Sequence, residues 1–98
     1  MSRIELAPGI VADFDRILDH LLEHESRQAP ARIRLIIGAL EVLREHPLIG
    51  RPVHTGLREL VVGRGASGYV VLYRYVAPAD IAFVLAVRSQ REAGYSER

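Results

Sequence analysis

The sequence predicts an α+β fold in the order β-α-α-β-β-β, an N-terminal helical hairpin packed on a mostly antiparallel sheet with a short C-terminal tail. Three observations carry this. Apolar residues recur at three- and four-residue spacing from Ile10 to Leu43, the period of helices buried along one side. After Pro47 the pattern changes to runs rich in Val, Ile, Leu, Tyr and Phe, separated by Gly- or Pro-containing turns, as in short strands. Helices grouped apart from consecutive strands define the α+β class.

Taken in order, Arg3 to Ala7 reads as a short strand closed by Pro8-Gly9. Ile10, Val11, Phe14, Ile17, Leu18, Leu21 and Leu22 then form the stripe of an amphipathic helix, with Asp13, Arg16, Asp19, His20, Glu23 and His24 on its polar face. Pro30 suits the first turn of a second helix, whose stripe is Ile33, Ile36, Ile37, Leu40 and Leu43. Arg44 and His46 sit where a helix C-terminus favours positive charge, and Pro47 ends the element. Gly38 costs about 1 kcal/mol in mid-helix propensity, and is expected to allow close approach of the first helix. Leu57–Val62, Tyr69–Val76 and Ile81–Arg88 follow as three strands, with Gly63–Gly68 and Ala77–Asp80 as the turns of an antiparallel meander.

Composition narrows the function classes. The chain has 98 residues, which read as one domain over 1–98. It has no cysteine, which excludes a disulfide framework and a thiolate metal site. No apolar run approaches the roughly 18 residues of a membrane span, and Met1–Leu6 shows no signal-peptide core; no membrane partner and a cytoplasmic location are expected. Net charge is +1, divided as −2 over residues 1–50 and +3 over residues 51–98. All thirteen basic side chains are Arg, so every cation is a planar fork suited to carboxylate or phosphate, and none serves as a proton-shuttling amine.

Three local motifs are better explained as structure. His20-Leu21-Leu22-Glu23-His24 matches H-x-x-E-H, but it lies on the polar side of its helix with no evident third ligand, so no metal is expected. Gly63-Arg64-Gly65-Ala66-Ser67-Gly68 matches G-x-G-x-x-G, yet it leads into a strand, whereas a dinucleotide site needs a helix N-terminus there. A turn is expected, and no cofactor. The serines show no nucleophile–base arrangement.

Several stretches, in order and over nearly the whole chain, carry a family resemblance. They are the two-helix N-terminal half, His46-Pro47-Leu48-Ile49-Gly50-Arg51-Pro52, Leu57-Arg58-Glu59-Leu60-Val61-Val62-Gly63, Gly68-Tyr69 with the strand to Val76, and Val84 to Tyr95. This set resembles the RelE/ParE toxin superfamily. The resemblance implies the toxin half of a type II toxin–antitoxin system, with a cognate antitoxin as partner (ParD-like or similar). RelE-like members cut mRNA on the ribosome; ParE-like members are described as inhibitors of DNA gyrase. No direct sequence-specific DNA binding is implied for the toxin itself.

RNA cleavage through the 2′-hydroxyl needs a proton acceptor, cations for the developing phosphorane charge and an acid for the leaving oxygen. RelE-like enzymes supply these with a basic cluster on the sheet and a C-terminal Tyr. Where that pattern has two alternating Lys, this chain has Arg58 and Leu60, and where it has an Arg after Gly-Tyr, this chain has Val70. Arg91 and Tyr95 are the candidates for the C-terminal Arg and Tyr, so a ribonuclease reading rests on Arg58, Arg91 and Tyr95. The missing cations favour the ParE-like, non-nucleolytic branch, with gyrase as target and the ribosome and mRNA as the alternative. A third reading is a degenerate toxin that only binds antitoxin.

The expected contact residues for target or antitoxin are Arg51, Arg58, Arg74, Arg88, Arg91 and Tyr95. Each also has a plain structural reading: Arg74 pairing with Glu59 across the sheet or stacking on a Tyr ring, Arg51 anchoring a loop, Tyr95 anchoring the tail. Leu35, Val42, Leu48 and Ile49 are apolar beyond what the two stripes need, which marks either partner surface or hidden core.

Overall fold

A computed structural model describes residues 1–65 and 68–90. The order is β1 (Arg3–Leu6), α1 (Ile10–His24), α2 (Ala29–Glu45), β2 (Arg51–His54), β3 (Leu57–Val62), β4 (Tyr69–Val76) and β5 (Ile81–Ser89). A short 3-10 turn, Ala77–Ala79, joins β4 to β5. The strands form one sheet in the order β1-β5-β4-β3-β2, antiparallel except for the parallel β1–β5 pair. The α+β class therefore holds. One strand is added: Arg51–His54 lies where the sequence reads as a loop. Pro52 breaks its pattern, and it is an edge strand, where a missing N–H is tolerated.

The helices lie on one face of the sheet, α1 chiefly along β5 and α2 against β1 and β3. Glu25, in the link between them, is held by Arg32 at 2.7 Å. The core is built from Ile10, Ile17 and Leu21 of α1, Ile36 and Leu43 of α2, and the inward residues of the sheet, including Tyr69, Val71, Tyr73, Val84 and Val87.

Three expectations for the helices are corrected. The buried line of α1 is Ile10, Asp13, Ile17 and Leu21, so Asp13 belongs to the inner side, while Val11, Leu18 and Leu22 are exposed. Ile37 of α2 is likewise exposed. A Cβ on Gly38 would meet nothing within 4 Å, so this glycine does not mediate helix–helix contact; it lies exposed between Leu35 and Val42.

The first strand is fastened at its start by the β4–β5 turn. Asp80 takes a left-handed conformation (φ 53°), which short polar side chains tolerate better than most. Its carboxylate accepts hydrogen bonds from Tyr75 Oη at 2.7 Å and Ser2 Oγ at 2.8 Å. Those two bonds, Tyr75 first, hold the Asp80 carboxyl below its ordinary pKa. A depressed carboxyl pKa contributes stability that is complete above the unfolded value of about 4 and is lost as pH falls through the folded value. In thermal melts from pH 6 down to pH 2, Asp80→Asn should therefore start with a lower Tm than the parent, with the gap closing at the acid end. A gap constant with pH would show that the carboxylate charge contributes nothing.

Candidate functional site

The loop between α2 and β2 is held by side chains from two strands, Tyr73 of β4 and Arg58 of β3. Tyr73, fully buried on β4, accepts the Gly50 N–H and donates to the Pro47 carbonyl, each at 2.8 Å. Burial pushes the Tyr73 hydroxyl pKa up, against smaller lowering effects of the Gly50 N–H and the Arg58 charge, so it stays protonated and able to donate. Arg58, directly opposite Tyr73 in the β3–β4 register, donates to the Gly50 carbonyl at 2.7 Å and the Leu48 carbonyl at 3.2 Å. A Cβ on Gly50 would stand 2.7 Å from the Glu59 carbonyl oxygen and from the Tyr73 ring; only glycine fits.

The neighbouring arginines serve different ends. Arg51 bonds Glu59 at 3.0 Å and keeps 72% of its side chain exposed. Glu59 thus pairs with Arg51, its register partner across β2 and β3. Arg74 is exposed on β4, with Nη1 over Gly56, at 2.6 Å from where a Cβ there would lie. Gly56 has φ 76° in the β2–β3 turn, so glycine suits it on two counts.

Arg88 is drawn inward. Its guanidinium pairs with Asp13, the two side chains only 4% and 8% exposed. The β1–β5 pairing ends at Leu6 and Val84, and beyond that point the Asp13 carboxylate takes over the strand edge, accepting the Val87 N–H at 3.0 Å. Arg88 Nη1 also bonds the Val87 carbonyl, and Arg16 approaches Asp13 from outside at 3.3 Å. Arg88 therefore ties β5 to α1 and presents almost no surface. Arg91 and Tyr95 lie outside the described residues.

The sheet register sorts the remaining candidates by face. Arg58 and Leu60 lie opposite Tyr73 and Val71, on the helix side, while Glu59 and Val61 lie opposite Leu72 and Val70, on the other face. No pair of alternating cations occurs on either face of β3. Around the G-x-G-x-x-G stretch, Gly63 and Gly65 have positive φ and the Gly68 N–H closes back on the Gly65 carbonyl at 3.0 Å before β4 begins. That is a turn. The His20 and His24 rings meet at a 44° tilt, 4.7 Å between centroids, and no group of three metal-ligating side chains occurs among the described residues.

Sequence reasoning left open where the surplus aliphatics go. Leu35, Val42, Leu48 and Ile49 are all exposed, and so are Leu18, Leu22 and Ile37 on the helices. Between α2 and the outer edge of β1 runs a groove of about 350 Å³, floored by Ile4, Leu6, Ile37 and Leu40 and rimmed by Arg3, Glu41 and Arg44.

A family model described as the ParE toxin of the type II toxin–antitoxin system parDE matches residues 4–94. The chain belongs to the ParE toxin family. Within the wider RelE/ParE superfamily it is 36% identical over 81 residues to Toxin RelE3 of Caulobacter vibrioides, covering 83% of this chain and 88% of that one. Its fold superposes on a chain of the chromosomal ParDE toxin–antitoxin system from P. aeruginosa with a TM-score of 0.76 at 20% identity, covering 91% and 96% of the two chains. A chain of the archaeal RelE–RelB complex from Pyrococcus horikoshii superposes at 0.59 with 16% identity, covering 94% and 98%. This ParE-family chain thus has kin bearing both superfamily names, and its own residues must decide between activities.

Among the described residues, no helix is long and apolar enough to cross a membrane.

Proposed function

We propose that this ParE-family chain is the toxin of a type II pair, acts by protein–protein contact on DNA gyrase, and is neutralised by a ParD-like antitoxin in the cytoplasm. The observation that carries the choice of target is the fate of Arg58. A ribonuclease needs cations free to meet a phosphorane, and this guanidinium is engaged by two loop carbonyls on the helix side of β3. The face of β3 turned away from the helices offers Glu59 and Val61 instead. For the antitoxin, the groove beside β1 and the exposed aliphatics of α1 and α2 suit an apolar helix from its C-terminal part, with β1 open to an added strand.

The test is induced expression in a bacterial host with DNA and protein synthesis followed separately, paired with a supercoiling assay on purified gyrase. DNA synthesis should stop first and supercoiling should be inhibited. Early arrest of translation with cleaved transcripts would transfer the chain to the ribosome-dependent endoribonucleases. Unimpaired growth would leave a degenerate toxin. Co-expression with the antitoxin should yield a complex that survives purification.

A further inference from the structure

We infer that α2 pairs antiparallel with α2 of a second copy of this chain, crossing it at Gly38, with Leu35 on Val42 and Arg34 against Glu41 and Glu45 of the other copy. This goes beyond the toxin reading and does not depend on it.

Nothing inside one chain accounts for Gly38. Glycine is a poor helix former, yet it stands exposed in the middle of α2, where a Cβ would meet nothing within 4 Å. At about 100° per residue, Gly38 lies on the side of the helix turned away from the buried Ile36 and Leu43. Leu35 and Val42, 44% and 37% exposed, flank it on one side, and the exposed Arg34 and Glu41 flank it on the other. Glu45 lies nearly in line with it, about two turns on.

Charge gives the pairing its direction. Before Gly38 the helix carries Arg32 and Arg34 and no acidic residue; after it come Glu41, Arg44 and Glu45. Arg44 reaches Glu41 at 3.3 Å, but that pair is exposed and therefore weak. Arg34 and Glu45 form no ion pair among the described residues. Glu45 moreover closes the helix, where the dipole disfavours negative charge, so its own helix does not explain its place.

A two-fold axis sets like flanks together and reverses the chain direction, and each contact is then made twice. Counted from Gly38 at about 1.5 Å per residue, Leu35 of one copy and Val42 of the other stand within about 2 Å of the same height. Arg34 and Glu41 match equally well, and Glu45 lies one turn beyond. A parallel pair would instead gather the Arg side chains at one end and the Glu side chains at the other. With no side chain at the crossing, the two backbones can approach closely. This face shares only Glu41 with the groove beside β1. One helix pair is a small interface, so the dimer should dissociate on dilution, with a constant in the micromolar range or above.

Sedimentation velocity of the purified full chain, over a concentration series bracketing that range, should show a monomer–dimer equilibrium. Gly38→Gln should raise the urea midpoint, because a better helix former replaces an exposed glycine. It should also raise the dimer dissociation constant about tenfold or more, as a side chain enters the centre of the interface. Arg34→Glu by itself, and Glu41→Arg combined with Glu45→Arg, should each give monomers. Mixed in equal amounts, these two variants should form a heterodimer, since each supplies the charges the other lacks. A parent that stays monomeric overturns the inference. So does a dimer that Gly38→Gln leaves unchanged, which would put the contact elsewhere, or a mixture of the charge variants that stays monomeric. A monomeric parent whose Gly38→Gln variant no longer co-purifies with the antitoxin would overturn it in favour of the antitoxin as occupant of this face.

Discussion

Asp13→Ala should destabilise the protein by about 3–5 kcal/mol, the cost of leaving one member of a buried ion pair uncompensated. The Arg88 guanidinium, 4% exposed, would lose its carboxylate, and the Val87 N–H would lose its acceptor at the strand edge. Because small domains are stable by only about 5–15 kcal/mol, urea unfolding should show a sharply lowered midpoint, and the yield of folded chain should fall. Asp13→Asn should be milder, since its amide oxygen can still accept the Val87 N–H. The paired change Asp13→Leu with Arg88→Met should recover much of the loss, because replacing both charges removes the desolvation penalty together with the attraction. A midpoint for Asp13→Ala within about 1 kcal/mol of the parent would mean that the pair is solvated in solution.

Gly50→Ala should cost about 2–3 kcal/mol, toward the upper end for overpacking a filled site. The added methyl has no free direction, because the Glu59 carbonyl is backbone and the Tyr73 ring is held in the core. Relief requires the loop to lift, which breaks the bonds to Tyr73 and Arg58 together. Tyr73→Phe is the comparison that removes only the hydroxyl. It leaves the Gly50 N–H and Pro47 carbonyl without that partner, at about 1–3 kcal/mol. If the bonds act as one clamp, combining the two substitutions should cost less than the sum of the singles. Chemical denaturation of the three variants against the parent measures this, and strict additivity would refute a single clamp.

Much of the fold was legible because period and punctuation agree. The helices announce themselves by spacing, Pro47 ends the second one, and three of the strands are bounded by glycine or proline turns. What escaped has particular causes. Strand β2 is four residues long with Pro52 inside it, so it carries no readable alternation. The charge of Asp13 suggests the polar face, although its place three residues after Ile10 and four before Ile17 puts it on their face of the helix; that spacing is the available signal. Leu18 and Leu22 fit the apolar stripe by hydropathy yet lie exposed, because hydropathy alone does not report burial. Arg58 could not be placed from sequence, since its partners are backbone carbonyls, which every residue possesses. The distinction between Arg51 at the surface and Arg88 in the interior likewise needed the sheet register and the point where β1 ends.

The parallel pairing of the first strand with the last constrains how the chain is made. Arg3 waits for Ile81, and Asp13 for Val87 and Arg88, so ends of the polypeptide far apart in synthesis must meet before the structure closes. The β4–β5 hairpin needs only a short loop and can zip early, whereas joining β1 to it bears the entropy of a much longer loop. During translation α1 emerges long before β5, the strand along which it chiefly lies. For that interval the nascent chain lacks its finished sheet, and the delay between starting synthesis and completing the fold is written into the strand order itself.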